Sequence, residues 1–214
     1  TRCPFRQPER CDTERPLLRM IQPGHRVACH FAAQIDAVYD DMAVGAPKIG
    51  MVSRAETIRT IAGRLAERGV NPVVDPVMIA TSGDRLLQPE AIGALRSELL
   101  PLASIVTPNL PEAALLADAP LAETEAEAIA QAEAILRLGA RAVLIKGGHG
   151  EGSESTDLLV DESGVTRFTA PRIATTNTHG TGCTLSAAIA AGLALGKPLA
   201  EAVADAKDYI QKAL

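Results

Sequence analysis

Aromatic residues are nearly missing from this sequence: no Trp, two Tyr and three Phe among 214 residues, 2% in all. That scarcity excludes recognition of single-stranded nucleic acid through stacked bases, which needs several aromatic platforms. It also leaves the core to Ala, Leu, Ile and Val. Positive charge is not in excess either. Lys and Arg total 21 against 26 Asp and Glu, a formal net charge of −5, which argues against a nucleic-acid partner held by its phosphate backbone. No apolar run approaches the roughly 20 residues of a membrane-spanning helix, so no membrane partner is expected. What the chain does have is 47% hydrophobic residues. That content rules out wholesale disorder and can build a core without disulfide or metal staples.

The averages cover two unlike parts. Residues 1–30 hold six Arg against three acids, three of the four Cys (Cys3, Cys11, Cys29) and four Pro, and no helical or strand period runs through them. The other 184 residues carry 15 basic and 23 acidic groups. The head reads as an irregular or foreign segment. It is not a signal peptide, because no apolar core follows its basic residues, and its acids argue against a transit peptide. A zinc site built from Cys3, Cys11, His25 and Cys29 is disfavoured, because the close CxxC pairing of structural sites is missing. With no targeting signal, the cytoplasm is the expected location.

From Phe31 onward the pattern is orderly. Phe31, Ile35, Val38, Tyr39 and Met42 recur at helical spacing, with Asp36, Asp40 and Asp41 on the other face. Further helices are expected over Thr57–Arg68, Pro89–Leu100, after Pro111, over Glu123–Leu138, and from near Gly182 and Leu199. Strands over Ala46–Met51, Val73–Val74, Ser104–Val106 and Arg141–Lys146 alternate with them. This predicts an α/β fold, a mostly parallel sheet with helices on both faces. Leu158–Asp161 and Val165–Ala170, joined through Glu162-Ser163-Gly164, predict an antiparallel hairpin at the sheet's edge. No repeat or linker splits the ordered part, so the expected organisation is an atypical head, 1–30, and one domain, 31–214.

Ligands of open α/β sheets bind beyond the carboxyl ends of the strands. Four polar segments fall there: Asp75–Met78, Thr107–Glu112, Lys146–His149 and Asn177–Cys183. In the last, Gly180 and Gly182 let backbone N–H groups approach an anion, and the following helix adds its positive end. Cys183 would then stand where a thiolate is favoured as a base. The competing reading is a glycine-rich turn with a small buried Cys. Asn109 and Glu112, three apart, suit either a hydrated Mg²⁺ beside nucleotide phosphates or a helix cap. Asp75 could orient metal-bound water or close a turn before Pro76. Lys146 could meet phosphates or end a strand in solvent. His149 reads as an exposed loop side chain, and His179 as an imidazole that orients the glycine loop.

Taken in order, KIGM (Lys48–Met51), VVDPVM (Val73–Met78), SGDRLL (Ser82–Leu87), TPNLPEA (Thr107–Ala113), VLIKGGH (Val143–His149) and NTHGTGCTLSAA (Asn177–Ala188) form a recognisable set. The set resembles the hydroxymethylpyrimidine/phosphomethylpyrimidine kinases of thiamine biosynthesis, in the ribokinase-like superfamily, from about Phe31 to the C-terminus. The resemblance implies a three-layer ribokinase-like fold, ATP and Mg²⁺, a small-molecule pyrimidine substrate and a homodimer. It implies that Gly180, Thr181 and Gly182 form an anion hole and that Cys183 is the catalytic base. Asn109 and Glu112 would match the superfamily's magnesium and phosphate motif, with the metal held through water. Lys146 would contact nucleotide phosphates, Asp75 would be an acid near the metal and phosphates, and Met51 and Val77 would line the pyrimidine pocket. The implied reaction is ATP-dependent phosphorylation of 4-amino-5-hydroxymethyl-2-methylpyrimidine, then of its monophosphate to the pyrophosphate. A pyridoxal or pyridoxamine kinase is the alternative within the same fold. A second alternative is a catalytically inert pyrimidine-binding fragment. It is raised because the family opens with a glycine-rich segment of the kind GTDPSGGAGIQAD, which residues 1–30 do not contain. The expectation is therefore a kinase body incomplete on its N-terminal side, behind an unrelated head or a shifted reading frame.

Overall fold

Val73-Val74 and Ile105-Val106 are short, wholly apolar pairs of β-branched residues, and they lie side by side in the parallel part of the sheet. The computed structural model describes residues 19–22, 25–27, 32–79, 86–147, 152–175 and 180–214. Cys3, Cys11 and Cys29 of the zinc reading lie outside these residues, as do His149, Asn177 and His179. Six strands pair in sequence order: β3 (Lys48–Ile49), β4 (Val73–Val74), β5 (Ile105–Val106), β6 (Ala142–Ile145), β7 (Glu154–Asp161) and β8 (Gly164–Pro171). β3 to β6 run parallel, and β7 and β8 are antiparallel at one edge.

Successive strand residues point to opposite faces, and here both faces are apolar. Val74, Val106, Val143 and Ile145 face one core, shared with helices α2 (Ala55–Arg68), α3 (Pro89–Ala94), α4 (Leu110–Ala117) and α5 (Glu125–Leu136). Val73, Ile105, Ala142 and Leu144 face the other core. There Leu185 and Ile189 of α6 (Thr181–Ala194) and Val203 and Ala206 of α7 (Leu199–Ala213) cover them. The remaining helix, α1 (Ala32–Asp41), is tied to α2 by Arg68, which meets Asp36 and Asp40. A parallel sheet with both faces covered is the expected three-layer arrangement. Among the described residues, no helix is long and apolar enough to cross a membrane.

Three local expectations change. The head is not irregular throughout: β1 (Arg19–Gln22) and β2 (His25–Val27) pair antiparallel as a separate two-stranded sheet. Strands this short show no period, but the Pro23-Gly24 dipeptide between them is a turn signal. The helix expected through Leu100 widens into a π turn at Leu95–Leu99 and ends as a 3₁₀ turn at Leu100–Leu102. Pro101 accounts for the ending, since it has no N–H to continue the ladder. β7 starts at Glu154, four residues before the apolar run, because Glu154–Asp157 pair with Phe168–Pro171 through the backbone ladder and a Thr156–Thr169 hydroxyl contact of 2.9 Å, not through apolar side chains.

Candidate active site

The parallel strands end on one side of the sheet, and the polar residues that follow them converge there. Asp75 follows β4, Asn109 and Glu112 open α4 after β5, and Lys146 follows β6. Asp75 is the hub and is only 1% exposed. Its Oδ1 accepts from Lys146 Nζ at 3.0 Å and from Thr107 Oγ1 at 3.3 Å. Its Oδ2 accepts from Ser186 Oγ at 3.1 Å and lies 3.4 Å from Lys48 Nζ. Burial is the largest influence on Asp75 and alone would raise its pKa. The Lys146 ammonium, then Lys48 and the Ser186 hydroxyl, outweigh it and hold the carboxyl below the usual carboxylate range.

Glu112 is buried beside this hub, with Oε2 4.0 Å from Lys146 Nζ. Burial pushes its pKa up, Asp75 adds to the rise, and Lys146 with the N–H groups of Asn109 and Met78 opposes it. The capping alternative for Asn109 and Glu112 is realised. Glu112 N–H donates to Asn109 Oδ1 at 2.8 Å, and Asn109 N–H donates to Glu112 Oε2 at 2.9 Å. The second carboxylate oxygen accepts from Met78 N–H at 3.3 Å. Each oxygen of Glu112 already accepts one N–H, and among the described residues no group of three His, Cys, Asp or Glu could hold a metal, so the residues do not form a dedicated cage for a bare ion. A hydrated Mg²⁺ touched through its waters does fit, since Mg²⁺ usually keeps several waters.

The fourth part is the start of α6. Gly180 is its N-cap, with φ 84° in the left-handed region that favours glycine. The first intrahelical bond runs from Thr184 N–H to the Gly180 carbonyl at 2.9 Å, so the N–H groups of Gly182 and Cys183 lie in the turn ahead of it. A Cβ on Gly182 would lie 3.2 Å from Lys146 Nζ, which places the ammonium against this turn. Ser186, one turn on, ties the helix to Asp75, and its hydroxyl also meets the carbonyls of Gly182 and Cys183. Cys183 is a free, exposed cysteine, which removes the buried-Cys reading.

Of the residues expected from sequence, Asp75, Glu112, Lys146 and the first turn of α6 meet directly. Met51 and Val77 stand at the same end of the sheet, Met51 with 55% of its surface exposed. Lys48, Thr107 and Ser186 were missed as partners of Asp75. Lys48 opens the KIGM run, a charged residue leading into a strand, and that was a usable signal. Thr107 opens the polar segment that follows β5, which placed it near the site, but Ser186 is a small hydroxyl inside an apolar helix and carried no signal.

A helix end able to receive an anion, facing an ammonium already held by carboxylates, suits the handling of phosphoryl groups. Frame and site together suit a phosphotransferase working at the carboxyl ends of a parallel sheet. Comparison with known proteins narrows that class. A family model described as phosphomethylpyrimidine kinase matches residues 25–214. A hydroxymethylpyrimidine/phosphomethylpyrimidine kinase of Rhizobium meliloti (strain 1021) is 61% identical over 183 residues, covering 86% of this chain and 69% of the relative. Two solved structures share the fold. Phosphomethylpyrimidine kinase from Clostridium difficile 630 has a TM-score of 0.73 at 41% identity, covering 85% of this chain and 74% of that one. Pyridoxal kinase of Bacillus subtilis, in an ADP complex, has a TM-score of 0.78 at 38% identity, covering 84% and 68%. The chain belongs to the phosphomethylpyrimidine kinase family.

Proposed function

We propose that this chain transfers the γ-phosphoryl group of ATP to the hydroxymethyl oxygen of 4-amino-5-hydroxymethyl-2-methylpyrimidine, and then phosphorylates the monophosphate, as a step towards thiamine. The observation that carries this reading is Lys146 Nζ, held 3.0 Å from Asp75 and against the first turn of α6. An ammonium at that spot reaches the phosphates of a nucleotide whose terminal group rests on the N–H groups of Gly180, Thr181, Gly182 and Cys183. Cys183 takes the hydroxyl proton as the oxygen attacks phosphorus. The new O–P bond forms as the bond to the β-phosphate oxygen breaks, and ADP leaves with that electron pair. Glu112 and Asn109 would hold a hydrated Mg²⁺ through its waters, and the ion would supply neutralisation of phosphate charge. Lys48 and Ser186 remain on the second oxygen of Asp75 while Lys146 serves the nucleotide.

Met51 and Val77 are assigned to the pyrimidine pocket, and the kinase body to residues 31–214. The family resemblance supports a cytoplasmic homodimer, which size-exclusion chromatography tests. The mild acidity of the chain supports the absence of a nucleic-acid partner.

The deciding experiment measures ADP release with hydroxymethylpyrimidine, its monophosphate and pyridoxal as separate acceptors. Turnover with the two pyrimidines, above that with pyridoxal, is expected. Preference for pyridoxal would favour the reading that the ADP-bound neighbour raises. Binding without turnover would mean an inert pyrimidine-binding protein. A monophosphate is already ionised, so Cys183→Ala should abolish the first transfer and spare much of the second. Equal losses in both would remove Cys183 from the base role.

A further inference from the structure

Lys146 is placed by two backbone anchors on opposite sides of its Cα. β6 pairs with β7 as far as Ile145, which faces Leu158. There the chain leaves β7: Lys146 bridges to Asn109, and its N–H donates to the Pro108 carbonyl at 2.9 Å. The next N–H, of Gly147, is caught from the other side by Asp157 Oδ1 at 2.8 Å. A side chain of β7 thus takes over from the ladder where the ladder stops. Gly147 is pressed so closely to β7 that a Cβ would lie 1.8 Å from the Thr156 carbonyl oxygen.

Asp157 is 6% exposed, and its other oxygen accepts from Lys207 Nζ of α7 at 2.7 Å. The Lys207 side chain is itself only 11% exposed. Neither residue is among the partners of Asp75 or Glu112 described above. A buried ion pair is a weak source of net stability, because desolvation offsets most of the attraction. What this pair does have is one oxygen aimed at the peptide that follows Lys146.

We propose that Asp157 is a positioning residue: by holding Gly147 N–H it sets Lys146 for nucleotide phosphates, and Lys207 supplies the counter-charge that makes a buried acid tolerable there. This rests on the reading of Lys146 as a phosphate contact. An alanine at Asp157 alone would strand a buried ammonium, so the test uses double variants that remove both charges. D157N/K207M keeps an oxygen facing Gly147, and D157A/K207M does not. Dissociation constants for the ATP analogue AMP-PCP with Mg²⁺ are measured by calorimetry on the full chain, with K146M as reference and a thermal melt of each variant.

K146M is expected to weaken binding roughly tenfold or more, the scale of one charge-assisted hydrogen bond. D157A/K207M should weaken it roughly tenfold, because a lysine misplaced by an ångström loses that geometry. D157N/K207M should stay within about threefold of the parent chain, a rescue that bulk destabilisation would not give. If D157A/K207M binds like the parent, or both double variants lose affinity equally while K146M behaves as expected, the positioning role is overturned. If K146M binds like the parent, or the parent does not bind, the reading of Lys146 falls and this inference with it. Should the alanine variant not fold, D157L/K207M replaces it, similar in size and without an acceptor.

Discussion

Replacing Asp75 with Asn probes the hub of the site with almost no change of shape. The carboxylate has three hydrogen-bond donors, Lys146 and Thr107 on one oxygen and Ser186 on the other, and an ion pair from Lys48 to the second oxygen. An amide offers one oxygen and one NH₂, so whichever way it turns, the NH₂ faces one ammonium, while the hydroxyl on that side can rotate to accept. Hydrogen bonds to a charged group contribute about 1.5–3 kcal/mol each. Both ammonium groups keep some water, however, with side chains 16% and 20% exposed. The expected loss of stability is therefore about 2–4 kcal/mol, or a fall in Tm of roughly 5–15 °C for a chain of this size. The pH dependence gives the sharper signature. Because the folded pKa of Asp75 lies below its ordinary value, its stabilisation is complete above the unfolded pKa and is lost as pH falls through the folded one. Asp75→Asn has no such group. The gap between the two proteins should be widest at neutral pH and should close below about pH 4. Glu112, whose pKa is raised, has the opposite dependence but is present in both and largely cancels. Urea unfolding at neutral, mildly acidic and strongly acidic pH measures the gap. A constant gap, or one under about 1 kcal/mol at neutral pH, would refute the account of Asp75 as a strongly stabilised anion.

Two further substitutions test local claims. In Gly147→Ala the new Cβ starts 1.8 Å from the Thr156 carbonyl oxygen, closer than the 3.0 Å that real Cβ atoms keep, so the backbone at Gly147 or at Thr156 must shift. We expect at least about 3 kcal/mol of destabilisation, by strain and a broken ladder, together with loss of nucleotide affinity, read by thermal melting and calorimetry. Thr124→Ala removes one half of the capping box at the start of α5, where Glu127 N–H donates to Thr124 Oγ1 at 3.2 Å. It should cost about 1 kcal/mol in urea unfolding and leave phosphotransfer unchanged.

The alternation of short apolar strands and amphipathic helices made the layered sheet legible. Val73-Val74 was placed to the residue because Asp75-Pro76 stops it so clearly. The edge hairpin was legible only in its apolar half, since Glu154–Asp157 pair through backbone and have no hydrophobic pattern to display. At the site, residues at strand ends could be listed, but their mutual geometry could not. Asp75 and Ser186 are 111 positions apart, and only the crossing of α6 over β4 brings them within 3.1 Å. Asp157 escaped notice for a related reason. A polar residue at the start of a strand looks like a solvated edge until Lys207, from a helix fifty residues on, is seen to cover it.

The sheet is unevenly stitched, and this sets the order in which the chain must assemble. β7 and β8 pair along eight residues across a tight turn, a local closure that needs little search. β3, β4 and β5 pair over two residues each, and Lys48 must find Val73, and Val73 must find Ile105, across long intervening helices. Closing those long loops costs more chain entropy than closing the tight β7–β8 turn, so these ladders are expected to form later. Amides of β7 and β8 should therefore gain protection from exchange early in refolding, and those of β4 and β5 late. The cluster around Asp75 draws on residues 48, 75, 107, 146 and 186, so it is complete only when the last of these crossings closes. Competence to hold a phosphate is then a property of the finished fold alone, with no partial version on the way.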